Sequence, residues 1–110
     1  MATPKVTKPR NVTYLGVPAM VWETRTGGAY GERVHAVLWL DKAVGQKTEH
    51  EEGTVVLNHI SGNGRLGTLV THGVEILKPV DNISTQERID RANTVASLML
   101  TAPRVTRQTV

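Results

Sequence analysis

Residues 53–78 carry the strongest pattern in the chain: three apolar, β-branched runs separated by glycine-containing turns. Gly53-Thr54-Val55-Val56-Leu57-Asn58-His59-Ile60 comes first, then Arg65 to Thr71, then Val74 to Lys78. Alternation puts Val55, Leu57 and His59 on one side and Val56, Asn58 and Ile60 on the other. Neither side is cleanly polar, which predicts a central strand. Asn63-Gly64 is a strong short hairpin signal, because both residues tolerate positive φ. His72-Gly73 sits between Val70 and Val74 as a second tight turn. The stretch therefore predicts a three-stranded antiparallel meander.

The segments on either side extend this picture. Val12 to Leu15 predicts a short strand, Gly16 and Pro18 break it, and Ala19 to Thr24 resumes it. Pro18 argues against a central hydrogen-bonded position, since proline has no N–H to donate. Thr26 to Gly31 is a flexible turn carrying Tyr30, a candidate contact residue because loops held by a sheet often bind. Its alternative is a ring folded back on the domain. Arg33 to Asp41 is the clearest strand. Val34, Ala36, Leu38 and Leu40 face the core, while Val37 and Trp39 make the other side apolar too. That second side needs a cover, from the helix or from another subunit. Lys42 to Glu52 is a polar connector. After Pro79, Ser84 and Glu87 form a capping box, and Ile89, Ala92, Ala96 and Met99 or Leu100 recur at helical spacing. Pro103 ends that helix at about residue 101. The expected fold is mainly β: a small antiparallel SH3-like barrel or rolled sheet of five or six strands, with one C-terminal helix over about 85–101.

Length and composition add bounds. At 110 residues the chain fits one domain. With no cysteine it has neither disulfides nor thiolate metal ligands. No apolar run approaches a membrane span and no signal peptide opens the chain, so the expected location is the cytoplasm or a virion, not a membrane. Phenylalanine is absent, so the core must be Val, Leu, Ile and Met around Trp22 and Trp39.

Charge changes the domain picture. Lys5, Lys8, Arg10, Arg104 and Arg107 occupy the two tails, which hold no acidic residue. The intervening body has ten acidic against eight basic side chains. The chain thus divides into an extended basic arm over 1–10, a β domain over 11–103 and a basic tail over 104–110. Pro4 and Pro9 make the arm extended, and its composition predicts disorder in isolation. A basic arm suits phosphates or an acidic protein neighbour.

Candidate catalytic and ligand motifs are weak. Gly62, Gly64 and Gly67 spell G-x-G-x-x-G after a strand, but Thr68 to Gly73 are strand and turn formers, not the helix a dinucleotide site requires. His50-Glu51-Glu52 lacks the second histidine of H-E-x-x-H, and His35, His50, His59 and His72 have no metal-site spacing. Nothing in the sequence joins His59, Ser61 and Asp41 as a triad, and no nucleophile elbow surrounds Ser61. The expectation is a non-enzyme without metal or cofactor.

Gly53, Val55 and Val56, followed by Gly62, Gly67, Leu69 and Val70, resemble the strand–glycine–strand core of KOW and related SH3-like barrels. The family's basic residue near the turn is matched by Arg65. The resemblance implies a small barrel that binds nucleic acid or protein rather than an enzyme. Such barrels also occur in bacteriophage head-to-tail joining proteins of comparable size. Combined with the basic arms and the two-sided apolar strands, it gives the expected function: a structural assembly protein, with a bacteriophage particle as one setting, that contacts other subunits through its arms and apolar sheet face. A nucleic-acid- or protein-binding module is the alternative. The candidate contact residues are Lys5, Lys8, Arg10, Tyr30, Arg65, Arg104 and Arg107.

Overall fold

The computed structural model describes residues 4–26, 31–44 and 49–101. It is a mainly β domain: one antiparallel sheet of six strands, with a single helix at its C-terminal end. The strands are β1 (Lys5–Val6), β2 (Arg10–Tyr14), β3 (Val17–Arg25), β4 (Arg33–Trp39), β5 (Val55–Ser61) and β6 (Val70–Leu77), and the helix α1 is Thr85–Thr101. From β2 to β6 each strand pairs with the next in sequence, and β1 lies beside β3 on the same side as β2. Among the described residues no pair joins β6 to β1 or β2, so the open sheet forms rather than a closed barrel.

Residues 5–10, marked by composition as a free arm, are extended but paired. Lys5 lies opposite Arg25, Val6 opposite Thr24 and Arg10 opposite Val21, with one extra residue accommodated around Lys8 and Pro9. Thr7 anchors this break. Its N–H donates to the Glu23 carbonyl, and its hydroxyl accepts from the Glu23 N–H, each at 2.8 Å. Leu15 and Gly16 close the β2–β3 hairpin with φ of 49° and 83°, a two-residue turn suited to strand twist. Pro18 belongs to β3 after all. Its carbonyl accepts from the Leu40 N–H at 3.0 Å, one residue past the end of β4, so the donor that proline lacks would face the frayed end of that ladder.

The expected three-stranded meander over 53–78 is a two-stranded hairpin. Asn63-Gly64 does not make a tight turn. The Asn63 side chain accepts from the Arg65 N–H at 2.9 Å, and the Asn63 carbonyl accepts from the N–H groups of Leu66 and Thr68. These bonds wind Gly64–Leu66 into a 3₁₀ turn. His72-Gly73 does not turn at all. β6 runs straight through it, and a register shift opposite His59 and Ile60 absorbs the extra residue.

α1 covers one side of the sheet. Ile89, Ala92 and Ala96 are buried against Trp22, Val34, Ala36, Leu38, Val55 and Leu57, with Met99 and Leu100 packed at the margin. The small alanines let helix and sheet approach closely. The capping box is present: the Ser84 hydroxyl accepts from the Glu87 N–H at 3.1 Å, and the Glu87 carboxylate accepts from the Ser84 N–H at 3.0 Å. The Trp22 indole N–H donates to Asn93 Oδ1 at 2.7 Å, tying β3 to the middle of the helix. On the opposite side of the sheet, Trp39 packs with Val17, Ala19 and Ala43. Within the chain its cover is not the helix but the connector. The connector after β4 folds back through an Ala43–His50 bridge, His50 stacks on the Trp39 ring at 6.0 Å, and Tyr14 meets that ring at 5.8 Å.

Candidate functional site

Three places concentrate unpartnered or chemically active groups. The first is β6. It is an edge strand, paired only with β5, and seven of its eight residues are exposed. Val70, Val74 and Ile76 are each about half exposed, and Leu66 and Leu69 extend this apolar surface into the preceding loop. Beside the strand runs a hollow of about 390 Å³ between β6 and α1, lined by His72, Val74, Glu75, Val95, Leu98 and Met99. Leu98, on the α1 side of the hollow, is 59% exposed. Along its outer edge β6 presents backbone N–H and C=O groups without a ladder partner among the described residues, beside apolar side chains.

The second is a pair of histidines at the end of the β5–β6 hairpin. His59 meets Glu32 Oε1 through Nε2 at 2.6 Å, His72 Nε2 meets the Ser61 hydroxyl at 2.7 Å, and the two rings lie 5.0 Å apart. A hydrolytic triad needs the same histidine to bridge carboxylate and hydroxyl. Here the carboxylate holds one imidazole and the hydroxyl meets the other. His59 is buried, and its contact ties the segment before β4 to β5. The arrangement closes the strand ends and contains no aligned nucleophile–base–carboxylate relay. Among the described residues, no three His, Asp or Glu side chains converge as metal ligands.

The third is a basic hollow of about 330 Å³ at the break between β1 and β2, lined by Lys8, Arg10, Glu23, Arg25 and His35. Strand register builds it. Glu23 lies opposite His35, Arg25 opposite Arg33, and Arg10 opposite Val21. Two arginines directly across a ladder repel one another. Glu23 lies between them, with Oε1 2.7 Å from Arg25 and Oε2 4.0 Å from Arg33. Arg33 is further held by the carbonyls of Gly31 and Gly62. Lys8 and Arg10 make no ion pair with a carboxylate among the described residues. Burial lowers the His35 pKa. Glu23 opposes that shift, while Arg10 and Arg33 reinforce it.

The residues expected to contact partners are thus distributed unevenly. Lys5, Lys8 and Arg10 gather along one sheet edge. Arg65 lies on the β5–β6 loop, away from that edge. Tyr30, Arg104 and Arg107 fall outside the described residues. Glu23 and Arg25 were not singled out from sequence, and His35 entered only as a histidine without metal-site spacing. Period-2 spacing places Glu23 with Arg25 and Arg33 with His35, but only the β3–β4 register brings the pairs together. The G-x-G-x-x-G glycines form the β5–β6 loop, and a 3₁₀ turn rather than a long helix follows Asn63. No helix among the described residues is long and apolar enough to cross a membrane. Comparison with known proteins returns no match: no family model, no curated protein and no solved structure is significantly similar to this chain.

Proposed function

We propose that the chain is a non-enzymatic assembly subunit that pairs with a second copy of itself through β6. The difference between its two sheet edges carries this reading. The β1–β2 edge is guarded by Pro4 and Pro9, a two-residue strand, a register break, and Lys5, Lys8 and Arg10. These are devices that keep a strand from accepting another chain. β6 is guarded far less: its eight residues hold no proline, lysine or arginine, Glu75 is its one charged side chain, and Val70, Val74 and Ile76 stand out into solvent. A head-to-tail contact would need the guarded edge. Pairing β6 with its own copy needs only the open one, so the assembly closes as a two-fold dimer with a continuous sheet. Residues 5–10 then serve inside the subunit rather than as gripping arms. The setting we propose, a virion, rests on the local sequence resemblance of residues 53–70 alone.

Light scattering after size exclusion, over a range of concentrations, tests the pairing. The unmodified chain is expected to dimerise, and Ile76→Lys to remain monomeric with an unchanged circular dichroism spectrum. A monomer at every concentration, or a dimer indifferent to both Ile76→Lys and Val74→Lys, would overturn it.

A further inference from the structure

We infer that the hollow between Lys8, Arg10, Arg25 and His35 is a binding site for a phosphate group, carried either by a small phosphate ester or by a nucleic-acid backbone. It lies at the opposite edge of the sheet from β6 and stands independently of the pairing proposed above. The argument begins with charge balance. The lining presents three cationic side chains and one carboxylate. That carboxylate is already engaged, since Glu23 meets Arg25 at 2.7 Å and Arg33 at 4.0 Å. Among the described residues nothing comparable is supplied to Lys8 and Arg10, although both border the same hollow. A compact anion there would accept charge-assisted hydrogen bonds from Lys8, Arg10 and Arg25. It would also relieve the repulsion between Arg25 and Arg33.

Backbone geometry favours a defined site over a diffuse patch. The break at Lys8 and Pro9 interrupts the regular edge ladder, and Thr7 locks it to Glu23 through two hydrogen bonds. Arg10 and Arg25 are borne on paired strands, and His35 on β4 also lines the hollow. The volume of about 330 Å³ takes a phosphate group with part of its substituent. Among the described residues, no aromatic face suited to base stacking belongs to the exposed rim: Trp22 borders the hollow but is buried and bonded to Asn93. Recognition is therefore of the phosphate, without base readout.

His35 gives the site a pH signature. Glu23 on β3, Arg10 on β2 and Arg33 on its own strand act on its charge, Lys8 and Arg25 share its hollow, and neutral Asn58 lies opposite it on β5. Without ligand its pKa is lowered, chiefly by burial. A bound anion favours the imidazolium, so binding takes up a proton and tightens as pH falls from about 7.5 to about 5.5, through the ordinary histidine range.

The test is calorimetric titration of the full chain with inorganic phosphate, a sugar monophosphate and a single-stranded oligonucleotide. Sulfate serves for the pH series because its charge is constant there. Arg10→Gln and Lys8→Ala are each expected to weaken binding by about tenfold or more. Lys78→Ala, an exposed basic change elsewhere, is expected to leave it unaltered. His35→Asn is expected to flatten the pH dependence and, by its ring NMR signals being lost, to identify the resonance that moves on titration. Tight monophosphate binding without oligonucleotide binding assigns a small ester. Oligonucleotide binding that weakens with salt assigns a nucleic-acid backbone. No binding of any of the four, or equal weakening by Lys78→Ala and Arg10→Gln, would overturn the site.

Discussion

Two glycines that look equivalent in sequence do opposite jobs. Gly62 has φ of 89°, and an added Cβ would run into the Thr68 carbonyl across the loop. Gly73 is not in the left-handed region, and a Cβ there meets nothing within 4 Å. Gly62→Ala is therefore expected to cost about 2 kcal/mol or more, whereas Gly73→Ala is expected to be neutral or to stabilise by about 0.5 kcal/mol. Urea denaturation of both variants checks this. Equal losses would mean that Gly73 does serve as a turn. The sequence reading placed tight turns at Asn63-Gly64 and His72-Gly73 because glycine marks permission for positive φ, not its use. At Asn63 the side chain captured the Arg65 N–H and selected a longer loop. At His72-Gly73 pairing with β5 outweighed the local turn signal. Long-range competition of this kind leaves no local trace.

At the scale of elements, α1 was the most legible part. Its capping residues and buried alanines follow from spacing, because helical order is set by neighbours three or four positions away. Its attachment to β3 was not legible. Asn93 is a polar residue inside a helix, and only the packed partner explains it: Asn93 satisfies the indole N–H of Trp22, which is 3% exposed. Asn93→Leu is expected to destabilise by about 1–3 kcal/mol by stranding that donor. Adding Trp22→Phe should cost less than the sum of the two single changes, because the donor leaves with the indole. Thermal unfolding of the four-member cycle measures the coupling, and strict additivity would mean that the bond contributes nothing. The same dependence on a remote partner hid the cover of Trp39. The 42–52 connector reads as polar, yet it supplies Ala43 and His50 to that ring.

For the whole molecule, the decisive feature is a sheet with one shielded and one open margin. Removing residues 1–10 is expected to lower stability, because β1, Thr7 and Arg10 pair with β3, and to expose a second margin. The shortened chain should form large polymers in light scattering, whereas the proposed β6 pairing has the full chain stop at two copies. A stable, dimeric truncated chain would show that the segment guards nothing. The mainly β fold with a terminal helix was legible because alternation and helical spacing are both local. The basic hollow was not, because Arg10, Glu23, Arg25 and His35 come from three strands whose register is a collective property. The order of elements also bears on how the chain is made. Each strand of the sheet finds its partner nearby in the sequence, so the sheet can assemble progressively with little loop-closure entropy. The helix that shields Trp22, Val34 and Leu57 follows all of them. During synthesis those side chains must wait uncovered until the last of the helix has emerged, and the interval between sheet and helix becomes the time when the nascent chain most needs protection from its neighbours.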